Sequence, residues 1–91
     1  MHRTDVKHIR EAVEAAQRFA HDAAFDGCDA SDIDELSASL ENELKRPLPN
    51  PTTLFTYLNS MRRSLLPQHH GVEVVAQLDN AMRTAGIVIE S

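Results

Sequence analysis

The chain has 91 residues, 42% of them hydrophobic and 4% aromatic, with no Trp, a single Cys and a formal net charge of −5. That length fits one small domain, 1–91, and is too short for a Rossmann domain or a TIM barrel. The lone Cys28 excludes an intrachain disulfide framework and a Cys-rich zinc site, and the scarcity of aromatics disfavours a base-stacking RNA module.

The segment from Met1 to His8 carries no apolar core of a signal peptide. No apolar run approaches the ~18–20 residues of a transmembrane helix. A cytoplasmic location is expected, with signal-less export leaving no mark of this kind.

The first helix is expected to open at Thr4 or Asp5, either of which can cap. Val6, Ile9, Val13, Ala16, Ala20 and Ala23 recur at alternating steps of three and four, a heptad-like stripe. Its alanine half allows close approach of a partner helix, and Phe19 and Phe25 supply bulk beside it. Asp26-Gly27 is the expected stop.

The second helix is expected to start at Ser31, with Asp34 three residues on in a capping-box arrangement. Ile33, Leu36, Leu40 and Leu44 form its apolar stripe. Lys45 and Arg46 fall at its carboxyl end, where the helix dipole favours cations. Pro47, Pro49 and Pro51 then terminate it and stiffen the connection.

Asn50 as cap and Pro51 at the first helical position predict the start of a third helix. Leu54, Leu58, Met61 and Leu65 share one face, widened by Phe55, Tyr57 and Leu66. Pro67 stops or kinks this helix. A fourth runs from Gln68 or Val72 to Ala85, with Val75, Leu78, Met82 and Ala85 in register and Val74 and Ala81 broadening the stripe, and Gly86 ends it. Residues 87–91 form a β-branched, apolar tail. Four short amphipathic helices with short connections predict a small antiparallel all-α bundle; a helical hairpin kinked at the prolines is the competing arrangement.

The charge is unevenly placed. Residues 1–25 and 47–91 are each balanced, so the whole deficit falls in 26–46: Asp26, Asp29, Asp32, Asp34, Glu35, Glu41 and Glu43 against Lys45 and Arg46. Such a segment repels a phosphate backbone and attracts a basic partner; a solvated helix face accounts for the same pattern.

Four chemistries can be set against these residues. His69 and His70 stand near Glu73 at helical spacing, a start toward a His/carboxylate metal site, but Glu-x-x-His does not occur and no metal is expected. The acidic run from Asp26 to Glu35 fails the calcium-loop spacing, because Cys28 and Ala30 fall where oxygen ligands belong. Cys28 lacks a nearby activating base, so no catalytic residue is expected. Thr52, Thr53, Thr56, Asn59, Ser60, Arg62 and Arg63 follow a turn in the manner of a helix-turn-helix reader, yet the basic footprint of a nucleic-acid binder is missing.

Residues 44–61, beginning Leu44-Lys45-Arg46-Pro47-Leu48-Pro49-Asn50-Pro51-Thr52-Thr53-Leu54, resemble the turn of type III secretion needle subunits. In those chains two helices meet at a Pro-x-Asn/Asp-Pro turn; here Leu48 holds the place of the first proline. The resemblance implies a helical hairpin that polymerises and is held by helical chaperones before export. It covers about half of the chain. An interruption at Pro67 and Gly71 and an extra helix over 5–25 depart from the pattern, and no functional residue carries over beyond the turn.

Together these features predict a small non-enzymatic module for protein–protein interaction or self-assembly, such as an adaptor, a regulator or a secretion-associated component. The third helix is wider in apolar residues than one core stripe needs, so Leu54, Phe55, Tyr57, Leu58 and Met61 are candidate partner contacts, with Asp32 and Glu35 on the acidic helix. The partner is expected to be another protein or a second copy, with no membrane, cofactor or small-molecule substrate. The plain alternative is a monomer whose wide faces fill its own core.

Overall fold

The computed structural model describes residues 3–22, 30–68 and 71–87. They form four helices: α1 (Arg3–Asp22), α2 (Ala30–Leu44), α3 (Pro51–Leu65) and α4 (Val72–Ala85). Each helix packs on its neighbours in the chain, and α1 also packs against α4, closing the ring. Cross-helix pairs fix the directions. Arg10 meets Glu41 and His21 meets Asp34, so α1 and α2 run antiparallel. The radius of gyration is 12.1 Å, close to the ~12 Å of a well-packed chain of this length. The expected antiparallel bundle is therefore the fold, and the kinked hairpin is not adopted.

The helix boundaries follow local chemistry. Asn50 caps α3 from an extended backbone, its side chain accepting from the N–H groups of Thr52 and Thr53, with Pro51 pre-set behind it. Gly86 ends α4 in the left-handed region at φ 76°, a backbone conformation that residues with a side chain adopt only under strain. Three boundaries differ from the sequence reading, the first being α1, which is already helical at Arg3, so that Thr4 and Asp5 lie inside it rather than capping it. Helix α2 begins at Ala30, so Ser31 lies inside its first turn. It ends at Leu44, which leaves Lys45 and Arg46 beyond the last turn. The N–H of Arg46 closes a tight turn onto the Glu43 carbonyl instead. The expected continuation of α1 through Ala23 to Phe25 lies outside the described residues, as do Cys28, His69, His70 and residues 88–91.

The core takes one stripe from every helix. Ile9, Ala12, Val13, Ala16 and Ala20 come from α1; Ile33, Leu40 and Leu44 from α2; Leu54, Leu58, Met61 and Leu65 from α3; Val75, Leu78, Ala81 and Met82 from α4. Ala12 extends the predicted α1 stripe, while Ala81 is buried where the broadened α4 stripe places it. Ile87, the first residue of the apolar tail, is 5% exposed and covers one end.

Three polar residues enter this core with partners provided. The Ser37 hydroxyl donates to the Ile33 carbonyl at 2.8 Å. The Asn59 amide donates to the Phe55 carbonyl at 2.9 Å. The Glu43 carboxylate accepts from the backbone N–H of Asn50 at 2.8 Å. Among the described residues no buried side-chain nitrogen or oxygen lacks a partner, as the cost of burying an unsatisfied polar group requires.

Candidate partner groove between α2 and α3

The third helix shows three rows. Leu54, Leu58, Met61 and Leu65 point into the core and are at most 1% exposed. Arg62 pairs with Asp79 of α4 at 2.7 Å. Phe55 lies one heptad before Arg62, so it belongs to the α4-facing flank, where it is half-buried against the core. Tyr57 and Ser64, again one heptad apart, face α2.

These rows divide the candidate contacts. Leu54, Leu58 and Met61 are interior residues of this chain and no part of an accessible partner face, which corrects the expectation placed on them. The width of the α3 stripe arises because α3 is wedged between α2 and α4 and must fill both seams. Phe55 stands apart on the other flank. Tyr57, Asp32 and Glu35 come together. They line an open groove of about 410 Å³ with Leu36, Ser39 and Ser64.

The groove has an acidic rim and a partly apolar floor. Asp32 and Glu35 are exposed and one helical turn apart. Leu36 and Tyr57 rest on the core with their outer sides open. Ser39 and Ser64 keep the walls low. The sequence signal for these last two was the heptad step, 32 to 39 and 57 to 64, which placed each serine on the same face as a candidate residue. Leu36 was read only as a core residue.

The other carboxylates of α2 are engaged inside the molecule. Asp34 lies 2.9 Å from His21 and accepts from the Gln17 amide at 3.0 Å. These contacts hold its carboxyl below the ordinary value of 3.8: first the Gln17 hydrogen bond, then the hydrogen bond and charge of His21. Glu41 pairs with Arg10 at 2.9 Å. Glu43 takes Asn50 and, at 3.4 Å, the Arg46 guanidinium. The carboxylates of Asp32 and Glu35 have no such partner among the described residues.

The polar residues of the helix-turn-helix alternative do not form one free face. Asn59 is buried and Arg62 is held by Asp79, while Thr52, Thr56 and Arg63 are exposed. Among the described residues no three His, Cys, Asp or Glu side chains converge as a metal set would require. No described helix is long and apolar enough to cross a membrane. Comparison with protein families, with curated proteins and with solved structures gave no match.

Proposed function

We propose that this chain is a non-enzymatic helical module for protein–protein interaction, with the α2–α3 groove as its partner face. One observation carries the reading. Asp32 and Glu35 are the two described α2 carboxylates without an internal partner, and both stand on the rim of a groove floored by Leu36 and Tyr57. A face with an apolar centre and a charged rim is the usual build of a protein contact. A bacterial adaptor, regulator or secretion-associated component is the setting suggested by the likeness of the α2–α3 turn to needle subunits.

The test is site-specific photo-crosslinking in the cell that makes the protein. A photo-reactive residue at Ser39, inside the groove, is expected to give discrete crosslinks to protein. The same residue at Thr84, in the α1–α4 seam, is expected to give none. Absence of crosslinks at position 39, or equal crosslinking at both positions, refutes the reading.

A further inference from the structure

We infer that the segment seated in the α2–α3 groove is a basic amphipathic helix of another protein; this rests on the groove reading above and adds the chemistry of the occupant. The charge argument comes first. Asp34, Glu41 and Glu43 are matched by His21, Arg10 and Arg46, so the exposed negative charge of α2 is concentrated on Asp32 and Glu35. The opposite wall, Tyr57 and Ser64, adds no carboxylate and no cation. Two acids three positions apart hold their Cβ atoms ~5–6 Å apart. Two cations on adjacent turns of an incoming helix match that separation.

The backbone argument selects a helix over an extended strand. Both walls are helices whose backbone groups are already used within them, so the groove offers no free strand edge. An occupant must satisfy its own N–H and C=O groups, which a helix does and a strand does not. The outer sides of Leu36 and Tyr57 then receive the occupant's apolar stripe, and Ser39 and Ser64 leave its backbone room to approach. A nucleic acid is disfavoured by the same two acids, which repel phosphate.

The probe is a synthetic Leu/Lys peptide with helical spacing, titrated at low salt against the whole chain by fluorescence anisotropy. Its Leu/Glu counterpart carries the same apolar face. The wild type is expected to bind the Lys peptide and to ignore the Glu peptide. The double variant D32K/E35K is expected to weaken binding about tenfold or more, since charges are reversed at the contact itself. The control E11K/E14K makes the same change in net charge at exposed acids of equal spacing on α1, outside the groove, and is expected to stay within about twofold of wild type. Circular dichroism checks that both variants keep their helices.

Equal loss in both variants would make the effect one of net charge and overturn the inference, as would equal binding of the Glu peptide. Light scattering after size exclusion examines the second-copy occupant. A dimer that D32K/E35K abolishes would place another copy in the groove and also overturn it. Crosslinks at position 39 that survive D32K/E35K would overturn the basic-helix inference while leaving the groove as a partner face. Failure of position 39 to crosslink at all removes the underlying reading instead.

Discussion

Glu43 is the residue whose replacement best tests how the two halves of the bundle are joined. Its side chain is 8% exposed, and it accepts the Asn50 N–H at 2.8 Å from the last turn of α2. Asn50 in turn caps α3, its side-chain oxygen 2.8 Å from the Thr52 nitrogen. One carboxylate therefore fixes the residue that starts the next helix. Hydrogen bonds to charged groups contribute roughly 1.5–3 kcal/mol. Asn50 is exposed, so water reaches its N–H once Glu43 is gone, which sets the cost near the lower end. The Arg46 side is 63% exposed and adds little. Glu43→Ala should thus cost about 1.5–2 kcal/mol, a fall of roughly 6–16 °C in Tm for a domain of this size. Glu43→Gln keeps an acceptor oxygen and should cost less than half as much. Asn50→Ala should cost about 1 kcal/mol by loss of the cap, and the double variant less than the sum, because both changes loosen one turn. Urea unfolding followed by far-ultraviolet circular dichroism measures all four. A Glu43→Ala protein within ~0.3 kcal/mol of wild type, or Glu43→Gln as costly as Glu43→Ala, refutes the reasoning.

Three other perturbations address the core, the turns and the α1–α2 seam. Leu58→Ala should cost about 2–5 kcal/mol by leaving a cavity, and Leu58→Asp should abolish the unfolding transition; a folded Leu58→Asp protein would show that this row is not interior. The two described glycines should respond differently. A Cβ on Gly71 would lie 2.6 Å from the Leu65 carbonyl oxygen, whereas one on Gly86 meets nothing within 4 Å. Gly86→Ala should therefore cost only the ~1–2 kcal/mol of its left-handed backbone, and Gly71→Ala should cost more by denaturant titration. Asp34→Asn should destabilise at neutral pH, and the gap from wild type should close as pH falls. A carboxyl held below 3.8 contributes stability above that value and loses it as pH drops through its folded value. A gap that stays unchanged as acid protonates the wild-type carboxyl would contradict this.

The apolar spacing made the helices legible, because a buried stripe must recur every three or four residues whatever it packs against. The α3 start and the α4 stop were equally legible, since Asn50-Pro51 and Gly86 act through their own backbone preferences. What escaped the sequence depended on partners distant in the chain or on the shape of a turn. Nothing at position 43 announces that a glutamate will be buried, because its partner is a backbone N–H delivered by the fold of residues 45–50. Asn59 read as an exposed polar residue since its partner is the carbonyl one turn earlier, a bond available at any position. At the candidate groove, the acidic pair and Tyr57 were visible from charge and aromatic character. Leu54, Leu58 and Met61 read equally as core and as partner contacts, because a wide stripe does not say how many neighbours it serves. Only the seating of α3 between α2 and α4 answers that.

The seam between α1 and α4 has a consequence for the order of assembly. Helix α1 packs on the last helix of the bundle as well as on α2, so during synthesis the α4-facing side of α1 stays uncovered until Val75 to Met82 have left the ribosome. A helical pair from α1 and α2 can form early, tied by Arg10–Glu41 and His21–Asp34. The cooperative core cannot close before the carboxyl-terminal quarter arrives. A chain stopped short of Val72 therefore lacks a whole wall of the bundle rather than a trailing decoration, and is the form most exposed to chaperones and proteases.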